Sequence, residues 1–202
     1  MDFTIYRTIN DLAAKHDWLE DPLRFIAIDS QLLFAAVLVV LFFARGKWRS
    51  INGRRGVALA GFSALAALGF AQVIAHLWDR ARPYEAHHGV HLFVAPSHDP
   101  SFPSDHATAA FALAVAVFAY HRRAGWLMLG MASVLAIGRV AVGTHYPSDV
   151  VGGAVLGTLV ALLFVRVVAI RNVGHWLADR CGTLYEQLTD RLLRRSPSSD
   201  LA

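Results

Sequence analysis

The chain has 202 residues, of which 55% are hydrophobic and only 17% are charged, well below the roughly 25% charged residues of an average soluble domain. Its single cysteine, Cys181, excludes an internal disulfide. The net charge of +4 is compatible with nucleic-acid binding, but the basic residues flank apolar blocks. That arrangement is typical of membrane topology, so we expect a lipid bilayer and no nucleic acid as partner.

The N-terminal segment, residues 1–23, is predicted to lie on the membrane surface. It carries charged residues throughout and lacks the apolar core that a signal peptide needs. Ile5, Ile9, Leu12 and Leu19 recur near helical spacing and give the segment one apolar face. We therefore expect a short amphipathic helix here.

Five apolar blocks follow, and each is predicted to be a transmembrane helix. They cover residues 25–44, 56–78, 106–120, 126–142 and 150–170. The first, second and fifth reach the roughly 20 residues that a helix needs to cross the hydrocarbon core, whereas the third and fourth must include flanking polar residues. The expected fold class is all-α: an integral membrane helical bundle of five spans, or six if the N-terminal segment also crosses. A soluble protein with very buried helices is the alternative.

The tail, residues 171–202, is predicted to be a second amphipathic segment. Leu177, Leu184, Leu188 and Leu192 form one face. The chain is then one domain over residues 1–202, with a transmembrane bundle over 24–170 between the two amphipathic segments.

The basic residues predict the orientation. They concentrate in the links after the first and third blocks and in the tail: Arg45, Lys47, Arg49, Arg54, Arg55, Arg122, Arg123, Arg166, Arg171, Arg180, Arg191, Arg194 and Arg195. Basic loops resist translocation, so these segments are expected in the cytoplasm. The N-terminus and the other two links, over 79–105 and 143–149, then lie outside.

The last of these links contains a candidate nucleophile. His145 is followed four residues later by Asp149, and Pro147 suits the first turn of a helix that would carry Asp149. A carboxylate bonded to one imidazole nitrogen leaves the other nitrogen with a free lone pair. The alternative is an interfacial histidine beside a helix-capping aspartate.

The other external link ends in the sequence PSDH. Ser104 is a candidate N-cap, and a helix N-terminus binds phosphate through its free N–H groups and its dipole. His106 in the first turn is suited to act as a general acid. The alternative is a capping motif with an incidental histidine.

The sequence RARP ends the second block and supplies two candidate phosphate ligands. The guanidinium of Arg82 matches phosphate oxygens bidentately, and Arg80 is either a second ligand or a simple stop-transfer charge. Neither a Walker-type glycine loop nor a pair of metal-ligating carboxylates is present. Arginines are therefore expected to stabilise the phosphoryl group, without a metal or cofactor.

Two further features of the sequence, a group of histidines and a pair of glycines, each allow two interpretations. The histidines of the first external link suggest a metal loop, but solvated side chains are the preferred interpretation: His87, His88, His91 and His98. Gly153 and Gly157 have a small-xxx-small spacing that predicts close helix packing inside the bundle.

Together these motifs resemble those of the type-2 phosphatidic acid phosphatase superfamily. Its first motif ends in Arg-Pro, as at Arg82, although the leading lysine of that motif falls on Ala75. Its second reads Pro-Ser-Gly-His, matched here with Asp105 in place of glycine. Its third pairs an arginine with a histidine and an aspartate at the spacing of Arg139, His145 and Asp149, with glycine in place of the leading serine.

The resemblance implies a role for each matching residue. His145 would be the nucleophile that forms a phosphohistidine, oriented by Asp149, and His106 would protonate the leaving oxygen and then activate water. The phosphoryl oxygens would be held by Arg82, Arg139 and Ser104. The candidates to replace the missing lysine are His76 and Arg80.

Within the superfamily, the chain is most similar to the bacterial undecaprenyl-diphosphate phosphatases of the bacitracin-resistance type. The resemblance implies hydrolysis of an isoprenoid lipid diphosphate at the outer face of the bacterial inner membrane, without an obligate protein partner. Phosphatidylglycerophosphate or phosphatidate hydrolysis is the alternative substrate assignment. A non-enzymatic binder of lipid phosphates and a vanadate-dependent peroxidase are the alternatives from other functional classes.

Overall fold

A computed structural model describes residues 1–43 and 51–194. The described residues form helices and no strand, which confirms the all-α prediction. Predictions for Arg45, Lys47, Arg49 and the chain end from Arg195 lie outside these ranges. The helices are α1 Asp2–Ala14, α2 Glu20–Arg24, α3 Ser30–Phe43, α4 Ile51–Trp78, α5 Pro83–Ala86, α6 Asp105–Tyr120, α7 Arg122–Ala141, α8 Pro147–Arg166 and α9 Val168–Arg194.

The predicted apolar blocks correspond to helices of the structure. Within the described ranges, four stretches are long and apolar enough to cross a membrane: Asp17–Phe43, Arg54–Ala86, Arg122–Ala141 and Pro147–Arg166. The predicted third span is α6, which is apolar but has only 16 residues. The prediction of a multi-pass membrane bundle is thus confirmed, with α6 below the usual length of a span.

α6 is the central helix of the bundle, and small residues at its contacts let the neighbouring helices approach closely. It packs against α4, α7 and α8, and its buried residues are mostly alanines. Gly157 of α8 faces the backbone of Thr108 and Ala112, and Gly153 faces Ser104 and Thr108. The glycine spacing therefore serves helix packing inside the bundle, as predicted.

The fifth block ends earlier than predicted. α8 stops at Arg166 because Val167 adopts an extended conformation, and α9 begins at Val168 instead of residue 171. α9 packs against α4, where Gly174 faces Leu59 and Arg55 binds Asp179 through two hydrogen bonds of 2.7 and 3.2 Å. The amphipathic tail helix is thus attached to the bundle.

The N-terminal helix α1 packs a mixed face, apolar except for Asn10, against the protein. Ile5 and Leu12 of the predicted apolar face are exposed, whereas Tyr6, Asn10 and Ala13 are buried against the loops and ends of α7 and α8. With 13 residues, α1 is shorter than the roughly 20 residues that a spanning helix needs.

Candidate active site

A cavity of about 210 Å³ lies where the C-terminal end of α7 meets the first turn of α6. It brings together four residues that the sequence analysis singled out in three separate motifs, namely Arg82, His106, Arg139 and His145. The remaining lining consists of Gln72, Ala75, Ser97, Asp99, Pro100, Pro103 and Asp105. Two histidines and two arginines thus share one small, polar space.

His145 is held with one ring nitrogen towards the two arginines. Its Nδ1 lies 2.9 Å from the main-chain carbonyl of Ser101, and a carbonyl only accepts, so Nδ1 carries the proton. Nε2 therefore bears the lone pair, and it lies 3.4 Å from both Arg82 Nη1 and Arg139 Nη2. This is the tautomer that a histidine nucleophile needs, aimed at the groups best suited to hold a phosphoryl group.

The surroundings of His145 keep its imidazole neutral. Only 2% of the residue is exposed. Burial lowers the pKa of His145 to about 4, and the charges of Arg139 and Arg82 act in the same direction, against the opposing effect of the Asp149 carboxylate. The lone pair on Nε2 is therefore available at neutral pH.

Asp149 reaches His145 indirectly. Its carboxylate lies 3.8 Å from His145 Nδ1, and its hydrogen bonds come instead from the Ser101 hydroxyl at 2.5 Å and the Tyr146 N–H at 2.8 Å. Arg80 also donates to it at 2.6 Å. Asp149 thus fixes Ser101, whose carbonyl binds the imidazole. Ser101 had no signal in the sequence, because its main-chain oxygen makes the contact.

Arg82 is buried and anchored by several acceptors. Its Nε donates to the Asp99 carbonyl at 2.9 Å, its Nη1 to the Thr144 carbonyl at 3.1 Å and its Nη2 to the Asp99 carboxylate at 2.9 Å. Burial opposes ionisation of Asp99, but the Ser97 hydroxyl and the Arg82 charge hold the pKa of that carboxyl below its usual value. The sequence analysis missed Asp99, which lies in a link without periodicity.

Two buried polar atoms beside the cavity have no protein hydrogen-bond partner in the described part of the chain. They are the Oγ of Ser104 and the Nε of Arg139. Ser104 occupies the predicted N-cap position of α6, but its side chain makes no capping bond. Buried donors normally have partners, so both atoms are suited to a ligand oxygen.

Arg139 is oriented by an irregular segment of the first span. Its Nη1 donates to the Ala27 carbonyl at 3.2 Å, and Ala27 lies in a π-helical turn over Phe25–Asp29. Single π-helical turns occur frequently at functional sites. This turn also had no recognisable signal in the sequence.

Neither candidate for the missing lysine lines the cavity. Arg80 stacks on Tyr146 at 4.1 Å and bonds to Asp149, Ser148 and Asp2, whereas His76 is exposed. Ala75 itself is part of the cavity wall, next to a hydrogen bond of 2.7 Å from Gln72 Nε2 to Asp105.

The histidines in the link over residues 79–105 do not form a metal-binding cluster. His87 stacks on Phe3 with the ring centres 3.7 Å apart, and His88, His91 and His98 are exposed. No group of three or more potential metal ligands occurs in the residues that the structure describes.

Comparison with known proteins finds one matching family, a similar curated protein and two similar solved structures. Residues 56–172 match the PAP2 superfamily. Undecaprenyl-diphosphatase BcrC of Bacillus subtilis is 27% identical over 195 residues, which cover 96% of this chain and 97% of that protein. The structure of Aquifex aeolicus LpxE has a TM-score of 0.68 at 20% identity over 82% of this chain and 94% of that one. A Bacillus subtilis PAP2-type phosphatidylglycerolphosphate phosphatase structure has a TM-score of 0.55 at 24% identity, over 79% and 82% of the two chains.

Proposed function

Because the chain belongs to the PAP2 superfamily and is a multi-pass membrane phosphatase, we propose that it hydrolyses the diphosphate of an isoprenoid lipid, with undecaprenyl diphosphate as the expected substrate. The products are the lipid monophosphate and inorganic phosphate. The observation that carries the proposal is the lone pair of His145 Nε2, which faces Arg82 and Arg139 at 3.4 Å in a small cavity that also contains His106.

The first chemical step is phosphoryl transfer to histidine. Nε2 of His145 attacks the terminal phosphorus, and the bond between that phosphorus and the bridging oxygen breaks. His106 donates its proton to the bridging oxygen, which leaves as part of the lipid monophosphate. Arg82, Arg139 and Ser104 stabilise the charge on the transferred group, and Ser101 with Asp149 holds the imidazole in the required tautomer.

The second step regenerates the enzyme. His106, now deprotonated, accepts a proton from a water molecule whose oxygen attacks the phosphorus of the phosphohistidine. The phosphorus–nitrogen bond breaks, its electron pair returns to Nε2, and inorganic phosphate leaves. Each residue ends in its starting protonation state, so the two steps balance without a metal or a cofactor taking part.

The substrate assignment rests on the similarity to BcrC along almost the whole of both chains. The two ends of α7 support the proposed orientation: Arg139 near its C-terminus lines the cavity, whereas the basic pair Arg122 and Arg123 begins the helix. Basic residues favour the cytoplasmic side. The site therefore belongs on the outer face of the inner membrane.

The test is phosphate release by the purified protein in detergent with EDTA present. The panel contains an isoprenyl diphosphate, an isoprenyl monophosphate, phosphatidylglycerophosphate and phosphatidate. We expect preference for the diphosphate, a loss of at least about 10³-fold in His145→Ala, and little change in the exposed-loop control His88→Ala. Preference for a glycerolipid would favour the alternative substrate.

Two other outcomes contradict the proposal. A requirement for added divalent metal would exclude the metal-free mechanism. Lipid binding without turnover, unchanged in His145→Ala, would instead support a non-enzymatic binder.

A further inference from the structure

The helix α1 contacts the polypeptide on both sides of His145, although it contributes nothing to the cavity wall. We propose that α1 is a positioning element of the active site, in which Asn10, Tyr6 and Asp2 hold the loop that carries the nucleophile. This inference rests on the proposed role of His145. It assigns a catalytic purpose to a segment that the sequence indicates only as a membrane-surface helix.

Asn10 fixes the segment before His145. Its Nδ2 donates to the Ala141 carbonyl at 2.9 Å and to the His91 carbonyl at 2.8 Å, and its Oδ1 accepts from the His91 N–H at 3.0 Å. Ala141 is the last residue of α7, whose terminal carbonyls have no partner within the helix. Asn10 is 1% exposed, so no solvent replaces these bonds.

Tyr6 supports the same segment two residues further on. Its hydroxyl donates to the Gly143 carbonyl at 3.2 Å, and the residue is fully buried. Gly143 has a φ of +92°, and a Cβ there would collide with the His91 carbonyl. Only glycine fits this turn, which leads directly into Thr144 and His145.

Asp2 fixes the segment after His145. Its Oδ1 accepts from the Ser148 N–H at 3.0 Å, which is one of the unpaired N–H groups in the first turn of α8. Its Oδ2 accepts from Arg80 Nη2 at 2.7 Å, and the same guanidinium donates to Asp149 at 2.6 Å. Asp2 is therefore linked to the carboxylate that fixes Ser101.

The two ends of α1 thus hold the two ends of the 141–148 segment. Asp2 and Asn10 are eight residues apart, about 12 Å along a helix. A rigid helix that joins both flanks restricts rotation and displacement of the His145 ring. Since none of the three side chains lines the cavity, we expect them to affect the chemical step more than substrate binding.

The experiment compares full-length variants with the isoprenyl diphosphate substrate. Asn10→Asp keeps the shape of the side chain but cannot donate to the two carbonyls. We expect kcat to fall about 10- to 100-fold, the loss typical of a small misplacement of a reacting group, with KM within about 3-fold of wild type. Tyr6→Phe removes a single hydroxyl and should lower kcat less. Thr8→Ala, on the exposed side of α1, is the matched control.

The outcomes distinguish failure of the proposed function from failure of the inference about α1. Wild-type protein without phosphatase activity would overturn the proposed function and this inference with it. Active wild type with unchanged kcat in Asn10→Asp and Tyr6→Phe would overturn the inference alone, as would a raised KM at constant kcat. Tyr6→Phe keeps the buried ring and so provides the answer if Asn10→Asp does not fold.

Discussion

The protonated nitrogen of His145 lies 2.9 Å from the Ser101 carbonyl oxygen. The nearest carboxylate oxygen of Asp149 is 3.8 Å away and accepts from the Ser101 hydroxyl instead. Asp149 therefore orients the proposed nucleophile through Ser101. The peptide carbonyl sets the tautomer, and the carboxylate sets the position of the residue that carries that carbonyl.

The first prediction distinguishes this relay from a direct histidine–aspartate pair. Ser101→Ala removes the hydroxyl that joins the residue to Asp149 but keeps the carbonyl, so we expect kcat to fall about 3- to 10-fold. Asp149→Asn also disturbs Tyr146 and Arg80 and should lower kcat by about 10²-fold or more. The rate of phosphohistidine formation in rapid-quench experiments measures both effects. Normal kinetics in Ser101→Ala would show that Asp149 acts without Ser101.

The second prediction concerns the acidic limb of the pH profile. His145 attacks only when neutral, and burial lowers its pKa to about 4, so kcat/KM should not fall from protonation of this residue until the pH approaches that value. The Asp149 carboxylate raises the pKa of His145 within this balance. Its replacement by asparagine should therefore move the limb to lower pH. A shift to higher pH would contradict the assignment of the limb to His145.

Much of the bundle and half of the site could be predicted from the sequence. Lipid requires long apolar helices, so the blocks around Phe34, Ala67 and Val160 identify spans without any knowledge of packing. Arg139, His145 and Asp149 lie at the end of α7, in the connecting turn and in the first turn of α8. They are close in sequence, so local sequence limits their geometry. The motifs that the sequence predicts are therefore those whose residues lie close together along the chain.

The missed residues make contacts that are distant in sequence. Ser101 binds His145 through a main-chain oxygen, which every residue possesses, so its identity carries no signal. Asn10 bonds to two residues that lie 81 and 131 positions away in the sequence. In the sequence alone its polar side chain resembles any exposed group on an amphipathic helix. Arg80 was a candidate phosphate ligand because its charge does not show which way its side chain points. Its partners in the structure are Asp2, Ser148 and Asp149.

The third prediction concerns Asp99, whose carboxylate accepts a hydrogen bond from Arg82. Asp99 lines the cavity and is ionised at neutral pH, since its pKa lies below the usual value. Asp99→Asn removes a negative charge from an anion site, so inorganic phosphate and vanadate should inhibit about 3- to 10-fold more strongly. High salt should reduce the difference. Inhibition constants against the isoprenyl diphosphate provide the measurement.

A suitable control for this experiment is Asp17→Asn, which removes the same charge from an exposed position outside the site. Weaker inhibition in Asp99→Asn would mean that the Asp99 carboxylate is needed to hold Arg82 in place. Equal inhibition in the two variants would show that Asp99 has no electrostatic effect on anion binding.

The fourth prediction tests the close contact between α6 and α8. A Cβ at Gly157 would collide with the Thr108 carbonyl and would lie 2.9 Å from the Ala112 nitrogen, so Gly157→Ala must separate the two backbones. We expect a loss of about 1–3 kcal/mol of stability, the usual cost of overpacking. Gly69→Ala is the matched control because no atom lies within 4 Å of the new Cβ. Alanine is the better helix former, so the control should be neutral or slightly stabilising.

Thermal unfolding in detergent measures the stability of both glycine variants. Phosphate release shows whether the separation of the helices also affects the active site. Ser104 is the N-cap of α6 and His106 lies in its first turn, two residues before Thr108. A displaced α6 therefore moves the proposed general acid relative to His145. Gly157→Ala should therefore lose activity at temperatures where it is still folded. Wild-type activity and stability in Gly157→Ala would mean that the two helices can separate without disturbing the site. Gly157 would then not be needed to place His106 near His145.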